Sequence, residues 1–66
     1  MQPKIKEFGH LVGIPLEKGN DNIDPSFSIR VTKIDGQPRV VTHDFRLDRI
    51  NVEIENGIIT NVTGLG

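Results

Sequence analysis

The fold of this chain is decided by the stretch INVEIENGIITNV, residues 50–62. Its first half alternates apolar and polar residues, which is typical of a half-buried β-strand, and Asn56-Gly57 then marks a hairpin turn. A two-residue turn at this point would place Val52 opposite Asn61. A three-residue turn with a bulge keeps apolar residues opposite each other, because a shift of one residue moves every side chain to the other face. We therefore predict the bulged hairpin, in which Val52 faces Thr60.

A second strand precedes this hairpin, because residues 27–32 also alternate between apolar and polar side chains. The dipeptide Asp35-Gly36 is able to form a tight hairpin turn. Pro38 follows closely, however, and a proline removes a donor that strand pairing needs. We therefore predict a longer excursion that begins at Gly36, with an exposed loop over residues 36–45.

The segment 14–26 has the weakest structural pattern. Pro15 suits the first turn of a helix, but the glycine and the Asn/Asp run at residues 19–22 interrupt any longer one. The sequence thus predicts an α+β, mostly β fold: a small twisted sheet with a long exposed loop and a reduced or absent helix. We expect a flexible N-terminus over residues 1–7 and a single domain over residues 8–66.

Large apolar side chains are scarce in this short chain. A domain of this size buries only about 60% of the surface that its unfolded chain exposes, so we expect modest stability. Phe8, Phe27 and Phe45 are therefore predicted to anchor the core, and Leu47 is expected beside them. Valine, isoleucine and leucine supply the rest.

The composition argues against several functional classes. The chain has no cysteine and only two histidines, so we predict no metal and no cofactor. Eight basic and nine acidic residues give a net charge of −1 without a basic stripe, which argues against a nucleic-acid partner. No apolar run approaches the roughly 20 residues of a membrane span. The first residues lack the apolar region of a signal peptide, so a cytoplasmic protein and a secreted protein with its signal removed both stay open.

The polar candidates for a site cluster at Thr42-His43-Asp44. The adjacent histidine and aspartate have the chemistry of a hydrolase dyad, but no nucleophile is spaced to complete it, and neighbours on a strand point to opposite faces. We therefore expect no enzyme. The β-branched Val40 and Val41 favour an extended chain before this cluster, and Arg46 and Arg49 follow it. An extended segment backed by guanidinium groups predicts binding rather than chemistry.

Three blocks of the sequence resemble, in order, the potato inhibitor I family of serine protease inhibitors. They are EFGHLVG at residues 7–13, VTHDFRLDRI at residues 41–50 and VTGLG at residues 62–66. The middle block matches the family pattern of Val-Thr, a variable residue, an acidic residue, an aromatic residue and Arg-X-Asp-Arg. The similarity covers nearly the whole chain, is closest in style to the short microbial members, and implies an inhibitor fold with an exposed reactive-site loop.

The resemblance also implies roles for individual residues. The reactive-site loop would consist of Val41, Thr42, His43, Asp44 and Phe45, with the scissile bond between His43 and Asp44. Arg46 and Arg49 would brace this loop by hydrogen bonds to the residues that flank the bond. Asn51 stands where plant and leech members carry a further bracing arginine.

The partner that the resemblance implies is a serine protease. His43 at the primary position favours a subtilisin-like or chymotrypsin-like enzyme. The segment from Gly36 to Thr42 is longer than the usual loop of the family; if this length shifts the register, Arg39 becomes the alternative specificity residue and favours a trypsin-like enzyme. The alternative function is a non-inhibitory protein-interaction module that docks a partner through the same loop. Exposed sheet edges leave both a monomer and a strand-paired dimer open.

Overall fold

The computed structural model describes residues 5–42 and 44–66, and a four-stranded mixed sheet lies at its centre. The strands are β1 (Ser28–Ile34), β2 (Gln37–Pro38), β3 (Arg49–Glu55) and β4 (Ile58–Leu65). Their order across the sheet is β2-β1-β3-β4, with β1 and β3 parallel and the other two pairs antiparallel. Two 3₁₀ helices, Ile5–Leu11 and Leu16–Asn22, precede the sheet. The prediction of a small, mostly β fold with a reduced helix is confirmed at this level.

The hairpin between β3 and β4 closes with a two-residue turn, so the predicted three-residue bulged turn is wrong. Asn56 and Gly57 have φ values of 52° and 77°, and Glu55 pairs directly with Ile58. Two consecutive left-handed residues form a type I′ turn, for which Asn-Gly is the preferred dipeptide. The local chemistry of the turn therefore decides the loop length.

The apolar register is restored further along β4 by two irregularities in the pairing. Thr60 and Thr63 are both left without an opposite residue in β3, as in a β-bulge. Each exposed threonine instead donates its hydroxyl to a β3 carbonyl oxygen at 3.3 Å. Val52 consequently faces Val62 rather than Asn61. The bulges in β4 thus keep apolar residues opposite each other, which we expected the turn to do.

The connection between β1 and β2 is also a tight turn, so the predicted excursion from Gly36 is wrong. Asp35 and Gly36 have φ values of 50° and 82°, and Ile34 pairs with Gln37. The Asp35 carboxylate also accepts a hydrogen bond of 2.7 Å from the N–H of Asn56. The two type I′ turns are thereby linked at one end of the sheet.

Pro38 is compatible with this hairpin because of its place in the ladder. It pairs with Lys33, and the next residue, Arg39, donates its N–H to a β1 carbonyl oxygen at 2.9 Å. Hydrogen-bonded and non-bonded pairs alternate in antiparallel strands, so the missing donor of the proline falls at a non-bonded position. The connection between β2 and β3 therefore runs over residues 39–48, of which 39–42 and 44–47 are exposed, instead of the predicted loop over 36–45.

The weakly patterned segment before β1 forms the second 3₁₀ helix and its entry. Pro15 directly precedes the helix with φ −57° and ψ 139°. Gly13 donates its N–H to the Ile59 carbonyl oxygen at 2.8 Å, and the Ile59 N–H donates to Ile14 at 2.9 Å. These bonds cover the beginning of the outer edge of β4 with backbone.

The N-terminal boundary that we drew at residue 8 stays a prediction. Residues 1–4 lie outside the described part of the chain, and the first 3₁₀ helix already begins at Ile5. Further along this helix, His10 is exposed, and its Nε2 lies 2.7 Å from the Asn22 carbonyl oxygen. This contact joins the end of the first helix to the end of the second.

The core lies between one face of the sheet and the 3₁₀ helices, of which the first packs on β4 and the second on β1. Its buried members are Phe8, Leu11, Ile50, Val52, Ile54, Ile59 and Val62. Phe27 packs edge-on against Phe8 with ring centroids 5.2 Å apart. Phe45 and Leu47 are instead 72% and 69% exposed, so their predicted place in the core is wrong. Both belong to the 39–48 loop.

Gly19 is the buried residue of the second 3₁₀ helix, and we predict that Gly19→Ala destabilises the fold. A Cβ atom at this position would lie 2.7 Å from Cδ1 of Ile29 and 3.4 Å from Cδ1 of Ile59. Because these atoms are the ends of side chains, they are able to shift, and we expect a loss of about 1 kcal/mol in the free energy of unfolding. Urea denaturation measures this loss. Gly9→Ala is the control, since no atom lies within 4 Å of its added Cβ; equal stabilities would contradict the prediction.

Candidate functional site

The loop over residues 39–48 connects the edge strand β2 with the central strand β3, and residues 39–42 and 44–47 are exposed. Both ends of the loop are tied to β1. Arg39 donates its N–H to the Thr32 carbonyl oxygen at 2.9 Å, and Ser28 donates its N–H to the Asp48 carbonyl oxygen at 2.9 Å. The loop is therefore an arch with both ends fixed on one strand.

Arg49, the first residue of β3, reaches back to the middle of this arch. Its Nη2 donates to the Asp44 carbonyl oxygen at 2.7 Å, and its Nη1 donates to Oδ2 of the same residue at 3.2 Å. Its Nε donates to the main-chain oxygen of Gly66 at 2.8 Å. The Arg49 side chain is only 14% exposed, whereas that of Asp44 is 53% exposed. The planar guanidinium thus lies beneath the loop and bonds it from inside.

Arg30 of β1 holds the other side of the arch, although it is not one of the predicted site residues. Its Nη1 donates to the Thr42 carbonyl oxygen at 3.3 Å, and its Nη2 donates to the Gly66 main-chain oxygen at 3.1 Å. Its Nε donates to Oδ1 of Asn51, its partner in the parallel register of β1 and β3, at 2.9 Å. Asn51 stands where plant and leech members of the family carry a bracing arginine. Here it instead orients Arg30 of the neighbouring strand.

Gly66 couples the two arginines. Its main-chain oxygen accepts from both guanidinium groups, and its N–H donates to the Arg49 carbonyl oxygen at 3.0 Å. Gly66 is itself buried. Arg30 of β1 thus holds Thr42 and Arg49 of β3 holds Asp44. Both arginines are bonded to the same oxygen of Gly66.

A hydrogen bond also crosses the top of the arch. The Thr42 hydroxyl donates to Oδ1 of Asp44. This bond, followed by the bond from Arg49, lowers the pKa of Asp44 from 3.8 to about 2, because both stabilise the ionised carboxylate. The carboxylate therefore keeps its charge, and its role as an acceptor, well into the acidic range.

We predict that the arch loosens in acid as Asp44 takes up a proton. The pKa of Asp44 is lower in the fold than in the unfolded chain. The ionised carboxylate therefore contributes its full stabilisation above pH 3.8, and this contribution is lost as the pH falls toward about 2. Carbon-13 NMR of the Asp44 carboxyl group should give a midpoint near the lower value. Nitrogen-15 relaxation should show increased motion of residues 39–48 over the same range, but not in Asp44→Asn. A midpoint at the ordinary aspartate value would contradict the prediction.

Arg46 has a different partner from the one expected. Its Nε and Nη2 donate to the two carboxylate oxygens of Asp48, both at 2.9 Å. This pairing lowers the pKa of Asp48, but both side chains are about half exposed, and such pairs contribute little to stability. Within the described residues, the hydrogen bonds of Arg46 thus go to Asp48 rather than to Thr42 or Asp44. The expectation of Arg46 as a second brace is corrected in favour of Arg30.

The remaining predicted site residues are distributed along the arch. Val41, Thr42, Asp44 and Phe45 lie in its middle, and Arg39 lies at its start beside β2. His43 lies outside the described residues, as does its side of the predicted scissile bond.

Other kinds of site find little support in residues 5–42 and 44–66. No group of three or more His, Asp or Glu side chains there is arranged to hold a metal ion. None of the helices in these ranges is long and apolar enough to cross a membrane. Comparison of the chain with models of protein families, with curated proteins and with solved structures finds no match. The proposals for its function accordingly rest on the arch and its contacts.

Proposed function

We propose that this chain inhibits a subtilisin-like or chymotrypsin-like serine protease by presenting residues 41–45 as a substrate-like segment. The observation that carries the proposal is the pair of arginines beneath the arch. Arg30 holds Thr42, Arg49 holds Asp44, and the two meet at Gly66. Thr42 and Asp44 are therefore exposed to a protease, yet both are positioned before it binds.

Fixing the conformation in advance favours tight binding. A flexible peptide loses conformational entropy when a protease cleft orders it, whereas a braced loop has lost most of that entropy during folding. The β-branched side chains of Val40, Val41 and Thr42 restrict the backbone to extended conformations. Extended backbone is the form that pairs edge-to-edge with the strands of a binding cleft.

The same contacts oppose release after cleavage between His43 and Asp44. Both new ends would remain attached to the fold, one through Arg30 and one through Arg49. The amine produced by the cut would stay close to the acyl group, so religation would compete with hydrolysis. No metal and no cofactor takes part in this mechanism.

The position of Arg39 argues against a trypsin-like partner. Arg39 lies at the start of the arch, where its N–H is bonded to Thr32. It is thus fixed beside the sheet rather than at the part of the arch farthest from the ends. A trypsin-like partner, which would need Arg39 in its primary pocket, is the less favoured possibility.

Inhibition assays against subtilisin, chymotrypsin and trypsin test the proposal. We expect tight inhibition of one of the first two enzymes, an equimolar complex in native mass spectrometry, and slow cleavage confined to the bond between residues 43 and 44. Rapid cleavage near this bond without inhibition at micromolar concentrations would contradict the proposal. It would favour the alternative, a non-inhibitory interaction module that docks a partner through the same loop.

A further inference from the structure

Exposed apolar side chains are concentrated on the arch. Among the residues whose exposure is described, four of the five large hydrophobic residues with high exposure lie there: Val40, Val41, Phe45 and Leu47. The chain has only three phenylalanines, and one of them is 72% exposed. Because a domain this small has little apolar surface to spare for its core, an exposed aromatic ring marks a contact surface rather than a packing defect.

The ring of Phe45 lies beside a buried glycine. Its Cδ1 and Cε1 atoms lie 3.6 Å from the position that a Cβ atom on Gly66 would occupy, so one edge of the ring rests against that glycine. Gly66 is in turn fixed by Arg30 and Arg49. The opposite side of the ring is open to solvent. A partner that covers the ring gains apolar contact with it.

Leu47 continues this surface toward β3. Its neighbours Arg46 and Asp48 are bonded to each other by two hydrogen bonds of 2.9 Å. The leucine between them keeps 69% of its surface exposed and has no place in the core cluster. Phe45 and Leu47 are thus two exposed apolar side chains on the C-terminal side of the predicted scissile bond.

We infer that this pair, rather than His43, selects the partner, and that the partner is a protease with an apolar surface beside its cleft on the leaving-group side. The inference rests on the proposed function and adds the location of its specificity. Histidine is a weak apolar anchor because its ring is polar and titrates near pH ~6.5. Aromatic side chains, phenylalanine included, are by contrast enriched at the cores of protein interfaces.

Alanine variants measured against the protease that the native chain inhibits best test the inference. We expect Phe45→Ala to raise the inhibition constant about thirtyfold, Leu47→Ala about tenfold and His43→Ala less than about threefold. Val12→Ala is the control, since Val12 is half exposed but lies outside the arch. A larger effect of His43→Ala than of Phe45→Ala would overturn the inference.

A second readout separates binding from bracing. If Phe45 contacts the protease, Phe45→Ala should speed dissociation of the complex without speeding cleavage of the loop, and Phe45→Leu should restore part of the affinity. Faster cleavage of Phe45→Ala would show that the ring acts by stiffening the arch, and it would also overturn the inference. Inhibition that depends on His43 refutes this inference alone, whereas absence of inhibition by the native chain refutes the proposed function as well.

Discussion

Replacement of Arg49 by alanine is expected to raise the rate at which subtilisin cleaves the arch by at least about a hundredfold, while the fold persists. The variant loses both hydrogen bonds to Asp44 and the bond to Gly66. The backbone on one side of the predicted scissile bond is then free to move, so the segment behaves as a substrate. The fold is expected to persist because the substitution removes none of the buried core residues of the sheet.

Mass spectrometry of the cleavage products over time measures this rate, and circular dichroism checks the fold. Arg46→Ala is the matched control, because it removes an arginine of the same loop that is bonded only to the exposed Asp48 among the described residues. We expect the control to change the rate less than about threefold. If Arg46→Ala accelerates cleavage as strongly as Arg49→Ala, the assignment of the braces is incorrect.

The shared acceptor adds a further requirement to this result. Arg30 and Arg49 bond the same oxygen of Gly66, so removal of one arginine should weaken the hold of the other on the loop. The effects of Arg30→Ala and Arg49→Ala on the cleavage rate should therefore be non-additive in a double-mutant cycle. Additive effects would mean that each arginine acts independently of Gly66.

Val52→Ala is expected to lower the free energy of unfolding by about 2 to 3 kcal/mol. Val52 is fully buried at the centre of the sheet, where it faces Val31 in β1 and Val62 in β4. Removal of two methyl groups there leaves a cavity that the neighbouring strands are too constrained to fill. A chain of this length has a total stability of roughly 3 to 10 kcal/mol, so the loss is a large fraction of it.

Val40→Ala is the matched control for this prediction, because the same two methyl groups are removed from a fully exposed side chain. We expect its free energy of unfolding to stay within about 0.5 kcal/mol of that of the native chain. Urea denaturation of both variants gives the comparison. Similar losses at the two positions would mean that residue 52 does not lie in the core.

The strands could be predicted from sequence because their periodicity is local. The alternation over residues 27–32 and 50–54 specifies two half-buried strands, and both are present in β1 and β3. The two turns differ from the predicted ones, because side-chain parity and Pro38 indicate longer connections, whereas Asn-Gly and Asp-Gly favour two-residue turns. In the fold, bulges at Thr60 and Thr63 correct the parity, and Pro38 occupies a non-bonded position. Neither adjustment leaves a distinct mark in the sequence.

The contacts of the arch likewise divide into those that could be predicted from the sequence and those that could not. The pairing of Arg49 with Asp44 spans only five residues, and the resemblance implies it. The contact of Arg30 with Asn51 spans 21 residues and depends on the parallel pairing of β1 with β3. The exposure of Phe45 likewise follows from tertiary structure, because an isolated phenylalanine is more often found in a core.

One strand bonds the arch at three points along its length. Thr32, Arg30 and Ser28, at alternate positions of β1, bond its start, its middle and its end. The side chains of residues 40, 45 and 47 are highly exposed and supply none of these bonds. The scaffold is therefore suited to grafting. Foreign side chains placed at those three positions would be presented on the same backbone path. Libraries varied there would change recognition without redesign of the sheet.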